Sequence, residues 1–116
     1  MAKSEIIFGD FVGGGLQIEE GTWQTVTSNS SNSATITGLD TSKWYACYTY
    51  QYAPYSNYHN VWYKSELQAI VGIGEVIRLG SYAESNYCTT AFLFKPSATS
   101  ISANLGYHVS YCTITL

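Results

Sequence analysis

The sequence predicts an all-β fold: a single-domain antiparallel β-sandwich, jelly-roll-like, with about eight strands and an extended N-terminal arm. Charged residues make up only 11% of the 116 residues, against about 25% in an average domain. Thr, Ser, Asn, Gly and Tyr take their place, and these residues favour strands and turns over solvated helices. Short alternating runs also recur at spacings of about 8–12 residues, which is typical of sandwiches and barrels.

Residues 1–20 differ from the rest of the chain and predict a docking arm with a glycine hinge. The apolar side chains of the arm show no helical period and come before Gly13-Gly14-Gly15, a run with high backbone freedom. They are Ile6, Ile7, Phe8, Phe11 and Val12. We expect this peptide to dock on a neighbouring protein, for example by adding a strand to a sheet edge. The alternative is a first strand of the domain's own sheet.

The remaining residues, 21–116, are predicted to form the β-sandwich domain. Its strands are recognised by a period of two, by β-branched and aromatic residues, and by flanking turn residues. The predicted strands cover residues 21–27, 34–37, 43–52, 75–79, 89–95, 98–103 and 107–116. Residues 61–71 fit either a strand or one helical turn, whereas 81–87 read as a turn or irregular segment.

The strand predicted over residues 43–52 has the clearest alternation in the chain. Its even positions are larger and flatter, and its odd positions are smaller. The even set is Trp44, Ala46, Tyr48, Tyr50 and Tyr52, and the odd set is Tyr45, Cys47, Thr49 and Gln51. Because a strand directs only half of its side chains to one face, we expect some of these rings to face a second surface.

An aromatic cluster over residues 44–63 is the strongest candidate for a functional surface. It holds seven of the 11 tyrosines and two of the three tryptophans, interleaved with Ser, Asn and His. Rigid rings with polar tips suit protein interfaces and also sugar binding. The candidate ligand or interface residues are Trp44, Tyr48, Tyr50, Tyr52, Tyr55, Tyr58, His59, Trp62 and Tyr63. The alternative is that most of these rings lie in the core and in subunit contacts.

Catalytic and cofactor motifs are missing from the sequence, so we expect a protein that is not an enzyme and that needs no cofactor or metal. Neither His59 nor His108 lies in a catalytic motif, and no GxSxG, HExxH, EF-hand or P-loop pattern occurs. The cysteines, Cys47, Cys88 and Cys112, fit no zinc-site spacing. We expect buried free thiols, with one Cys88–Cys112 or Cys47–Cys112 bridge as the alternative.

The net charge of −3 lies entirely in residues 1–20, so residues 21–116 are neutral. A neutral, Tyr-rich domain is poorly protected against association. We therefore expect a homo-oligomer, with a trimer as the first expectation. No basic patch suits a phosphate backbone, so nucleic acid is not an expected partner. No membrane-spanning segment or signal peptide is predicted, so we expect synthesis in the cytoplasm without secretion.

The first nine residues together with Gly13-Gly14-Gly15 resemble the start of small tail or virion-associated proteins of tailed phages and prophages of gut Firmicutes. Gly21-Thr22-Trp23 and the segment 34–39, ATITGL, are similar to the opening of the β-domain in those proteins. The resemblance implies a virion component of the tail, fibre, baseplate or head surface. Residues 1–15 would then attach it to other virion proteins.

Two other functions are compatible with the residues alone. One is a receptor-binding β-sandwich module for host cell-surface glycan, which would use Trp44, Tyr55, Tyr58, His59 and Trp62. The other is a bacterial β-sandwich with an unrelated role.

Overall fold

Eight antiparallel strands and one short helix form the structure, a computed structural model that describes residues 19–27, 34–51, 61–83 and 87–115. The strands are β1 (Glu19–Glu20), β2 (Gln24–Thr27), β3 (Ala34–Ile36), β4 (Trp44–Gln51), β5 (Glu75–Ala83), β6 (Cys88–Lys95), β7 (Ile101–Ala103) and β8 (His108–Thr115). The helix is α1 (Lys64–Gln68). The all-β sandwich predicted from the sequence is confirmed. Residues 1–18 of the arm predicted over 1–20 lie outside the described residues, and its last two residues form β1.

The larger layer is a six-stranded sheet in which β4 is a central strand. Its strand order is β1–β8–β4–β6–β5. The strand β2 pairs with the same edge of β8 as β1, but with the first half of β8, whereas β1 pairs with its end. The register places Tyr45 of β4 between Phe94 of β6 and Thr113 of β8. Side chains therefore alternate in phase across three neighbouring strands, which gives the sheet two distinct faces.

The smaller layer is the two-stranded sheet of β3 and β7, and it covers one face of the large sheet. We call the covered face the inner face and the opposite one the outer face. The main core lies between the two layers and is built from side chains that are almost fully buried. These include Ala34 and Ile36 of β3, Ile101 of β7, Tyr45 and Cys47 of β4, Phe92 and Phe94 of β6, and Val109 of β8. The odd positions of β4 thus point into the sandwich.

Two ambiguous segments of the sequence take definite structures. The stretch 61–71 contains α1, whose buried Leu67 joins the main core. The prediction of an irregular segment over 81–87 was wrong for its first part, because β5 continues to Ala83. A β-bulge between Arg78 and Gly80 lets the strand resume pairing with β6. A glycine in a strand-like sequence is found at bulges as well as at turns. The sequence around Gly80 was therefore compatible with a bulged strand or with a turn.

Candidate functional site

Three of the predicted aromatic residues come together on the outer face of the large sheet. Trp44, Tyr48 and Tyr50 occupy even positions of β4, opposite in phase to the core residues Tyr45 and Cys47. We name as the aromatic face the outer-face set of Trp23, Trp44, Tyr48, Tyr50, Tyr82, Tyr87 and His108. Its members come from several separate segments of the chain, so the sheet register creates the cluster.

Small cross-strand neighbours make room for the rings of β4. Tyr48 lies between Ala91 of β6 and Ser110 of β8, and Tyr50 lies between Thr89 and His108. Directly opposite residues in an antiparallel pair have Cβ atoms about 4.5–5.5 Å apart, close enough for side chains to pack across the strands. The short side chains at positions 91 and 110 let the Tyr48 ring lie across the sheet. The Trp23 ring packs against it at 5.5 Å between centroids.

The second half of the aromatic face is a connected set of rings around Tyr50. The Tyr50 and Tyr87 rings stack with centroids 5.5 Å apart and planes inclined by 12°. Tyr87 also contacts Tyr82 at 5.9 Å, and Tyr50 contacts the His108 imidazole at 6.0 Å. Each such pair stabilises the packed arrangement by about 0.5–1.5 kcal/mol beyond its buried area. The rings are therefore held in fixed positions.

Between the rings, the outer face is apolar and uncharged. Ala46, Ala91, Leu93, Cys112 and Ile114 form a buried cluster there, and Leu79 packs against it. Ile77 and Tyr82 on β5 keep 44% and 47% of their surface exposed.

The charged residues of the outer face lie at its margin. Glu20 belongs to the short edge strand β1 and accepts a hydrogen bond from the Trp23 indole at 3.0 Å. Glu75 and Lys95 face each other where β5 begins and β6 ends. The centre of the face is buried within the domain, so only the partly exposed residues around it are accessible to a partner.

Trp62 and Tyr63 do not lie on the aromatic face. Trp62 is 8% exposed and belongs to the main core. Its indole N–H donates to the Leu105 carbonyl at 3.1 Å, and its backbone N–H donates to Thr90 Oγ1 at 3.0 Å. Trp62 is thus placed as a structural residue.

Arg78 fixes the chain around Trp62. The Arg78 Nε–H donates to the Trp62 carbonyl at 2.7 Å, and Nη2 donates to Ser81 Oγ at 2.8 Å. The guanidinium also lies 5.4 Å from the centre of the Tyr63 ring, a cation–π distance. Tyr63 itself is 60% exposed and begins α1, where the Glu66 carboxylate accepts a hydrogen bond from its N–H at 3.0 Å.

Several predicted residues fall outside the described part of the chain. They are the arm residues Ile6, Ile7, Phe8, Phe11 and Val12 and the aromatic-segment residues Tyr52, Tyr55, Tyr58 and His59. Their predicted roles stay predictions. Conversely, the sequence did not single out Trp23, Tyr82, Tyr87 or His108. Trp23 and His108 lie in predicted strands, whereas Tyr82 and Tyr87 lie in the segment predicted as irregular. Only the pairing of β2, β5, β6 and β8 brings them near β4.

The three cysteines are buried free thiols, as the first of the two sequence hypotheses expected. Cys47 points to the inner face and Cys112 to the outer face of adjacent strands. Burial, with a smaller contribution from Cys112, raises the pKa of the Cys47 thiol. Burial also raises the pKa of Cys88. Because the thiolate is the reactive form, the raised pKa lowers the reactivity of Cys47 and Cys88 at neutral pH.

Within the described ranges, no group of three His, Cys, Asp or Glu side chains is arranged to bind a metal ion. The same ranges contain no helix with the length and apolar character needed to cross a bilayer. Comparisons with protein-family models, with curated proteins and with solved structures found no match to this chain.

Proposed function

We propose that this chain is a structural subunit of a bacteriophage virion, a component of the tail, fibre, baseplate or head surface, and that it self-associates through the aromatic face. The virion assignment rests on the resemblance of residues 1–9, 13–15, 21–23 and 34–39 to small virion proteins. The self-association rests on the part of the outer face that stays accessible: Tyr82 and Ile77 are 47% and 44% exposed, and Trp44 and Tyr50 are half-buried. Tyr48 is 7% exposed and is buried within the domain.

The composition of the aromatic face supports a protein partner. Tyr and Trp are enriched in interfaces because they bury large areas with few rotatable bonds. The ring contacts centred on the half-buried Tyr50 order these side chains before association, which lowers the entropy that binding must overcome. The neutral charge of residues 21–116 also means that two copies do not repel each other.

The first experiment tests self-association with the purified full chain by sedimentation velocity over a range of concentrations. We expect a concentration-dependent oligomer, and we expect Ile77→Lys to weaken it at least tenfold, about 1.4 kcal/mol. A charge at the partly exposed Ile77 would be desolvated in the interface. Val71→Lys is the matched control, because Val71 is 88% exposed in the turn after α1. A monomer at all concentrations, or equal effects of the two changes, would refute the interface.

The second experiment tests the virion assignment by quantitative mass spectrometry of purified particles of the phage that encodes the chain. We expect a fixed copy number per particle and its loss when residues 1–15 are deleted. If the full chain is missing from particles, or if the deletion leaves incorporation unchanged, the proposed attachment through the arm is wrong.

A further inference from the structure

A polar cleft opens beside the sandwich, away from the aromatic face. Its volume is about 270 Å³, slightly below the range of about 300–1,000 Å³ typical of drug-sized ligands. The walls come from the approach to β2, from the inner-face residues of β4 and β8, and from the turn after β3. The lining includes Thr22, Gln24, Thr37, Tyr45, Tyr111 and Thr113.

We propose that this cleft binds a single neutral, polyhydroxylated ring, that is, one sugar residue. Six of the nine described lining residues carry a hydroxyl or an amide group, the other three are Gly38, Leu39 and Cys112, and none of the nine is a charged residue type. Three threonine hydroxyls can each donate and accept a hydrogen bond, which matches the mixed donor and acceptor character of sugar hydroxyls. This inference goes beyond the proposed virion role and does not depend on it.

The polar groups of the cleft are held in place by contacts within the domain. The Tyr111 hydroxyl donates to Gln24 Oε1 at 3.1 Å. That bond orients the Gln24 amide and leaves its N–H groups to donate to a ligand. Burial, with contributions from Tyr45 and Cys47, raises the pKa of Tyr111, so this phenol stays protonated as the donor at neutral pH.

The turn after β3 is fixed from two sides. The backbone N–H of Asp40 donates to the Tyr45 hydroxyl at 2.8 Å, and the N–H of Leu39 donates to the Thr99 carbonyl at 2.9 Å. Gly38 takes a φ of 70°, and a Cβ there would meet no atom within 4 Å.

Charged ligands fit the cleft poorly. A phosphate or carboxylate would leave water without an Arg, Lys or His partner among the described lining residues, and that desolvation is costly. A divalent cation would lack the carboxylates that Ca²⁺ and Mg²⁺ require. Because about four side chains would form hydrogen bonds to a single sugar ring, we expect dissociation constants near 1 mM, which is a binding free energy of about −4 kcal/mol.

The test is a titration of the full chain followed by ¹H–¹⁵N correlation spectra. The probes are glucose, galactose, mannose and N-acetylglucosamine, each as the free sugar and as the methyl glycoside, with glucose 6-phosphate as the charged comparison. We expect at least one neutral probe to shift the amides of residues 22–24, 37–39 and 111–113. Binding of the glycosides would indicate the end residue of a glycan, and binding of free sugars alone a soluble ligand.

Thr37→Val and Gln24→Ala are expected to weaken the effective probe at least fivefold, and Thr35→Val is the matched control. Thr35 is an exposed β3 threonine that bonds to Ser102 across the small sheet, outside the cleft. The proposal is overturned if every neutral probe fails to shift the spectrum at about ten times the expected dissociation constant. It is also overturned by shifts that map elsewhere, by equal binding of glucose 6-phosphate, or by an equal effect of Thr35→Val. Well-dispersed spectra of each variant establish that it is folded.

Discussion

Replacing Trp62 tests whether this tryptophan stabilises the fold or serves as a binding residue. The Trp62 side chain is 8% exposed in the main core, and its indole donates to Leu105, whose own exposure is 1%. Trp62→Ala removes a large buried side chain, which costs about 3–5 kcal/mol. Trp62→Phe retains most of the volume but leaves the buried Leu105 carbonyl without its donor, at a cost of about 1–3 kcal/mol. Both values are a large share of the about 5–15 kcal/mol expected for a domain.

The assay is urea unfolding of each variant followed by far-UV circular dichroism, because the signal then does not depend on the tryptophan removed. Trp44→Phe is the matched control. Trp44 is half-buried on the outer face, so we expect the same chemical change to cost less than about 1 kcal/mol there. Equal losses for Trp62→Phe and Trp44→Phe, or a loss below about 1 kcal/mol for Trp62→Ala, would refute the structural placement of Trp62.

Three further predictions concern stability. Arg78→Lys should lower the free energy of unfolding by about 1–2 kcal/mol, because an ammonium cannot bond both to the Trp62 carbonyl and to Ser81 as the guanidinium does. Above pH 9, the free energy of unfolding should fall less steeply with pH in Cys47→Ala than in the wild type, by up to about 1.4 kcal/mol per pH unit. Gly74→Ala should destabilise by at least about 1–2 kcal/mol, because Gly74 has a φ of 75° and an added Cβ would overlap the Lys95 carbonyl.

Each of these predictions has its own control. For Arg78, the change Ser81→Ala removes only one of the two hydrogen bonds and should cost less than Arg78→Lys. For Gly74, the change Gly38→Ala meets a φ of 70° but open space, so it measures the backbone strain alone. If Gly38→Ala and Gly74→Ala cost the same, the overlap with Lys95 contributes nothing. Urea unfolding measures all four variants.

The sign of the Cys47 effect follows from its buried thiol. Its raised pKa keeps the proton in the folded state, whereas the unfolded thiol ionises near its ordinary value of 9.0. The stabilisation is therefore complete below pH 9 and is lost as the pH rises through the alkaline range. Urea unfolding of wild type and Cys47→Ala between about pH 8 and pH 11 measures the difference. If the free energies of unfolding of the two proteins change with pH in parallel, Cys47 does not titrate differently in the folded and unfolded states.

Local patterns in the sequence predicted most of the strands and the alternation of their side chains, but not β1 or the continuation of β5 to Ala83. The alternation in β4 separated Trp44, Tyr48 and Tyr50 from Tyr45 and Cys47, and the structure places the two sets on opposite faces. These predictions succeeded because the period of a strand is set by the backbone itself. The neighbours of each strand could not be predicted in the same way, because strand order and register depend on contacts between distant segments.

The position of Trp62 shows where closeness in sequence misleads. Trp62 belongs to the same aromatic-rich segment, 44–63, as β4, yet it packs on the inner face with Thr90 and Leu105. His108 shows the reverse, since nothing near it in the sequence is distinctive, and the β4–β8 pairing places it against Tyr50. The cleft was missed for the same reason, because Gln24, Thr37 and Tyr111 come from three strands or turns that only folding brings together.

The alternation of β-strands also makes the two proposed surfaces genetically separable. Gln24 and Tyr111 belong to the inner-face set, whereas Ile77 and Tyr50 belong to the outer-face set. A substitution at Ile77 should change self-association and leave sugar titrations unaltered, and Gln24→Ala should do the opposite. If either substitution changed both measurements in a folded variant, the two faces would be coupled through the sheet. Independent effects are expected, because Gln24 and Ile77 belong to separate strands, β2 and β5, and their side chains lie on opposite faces of the sheet.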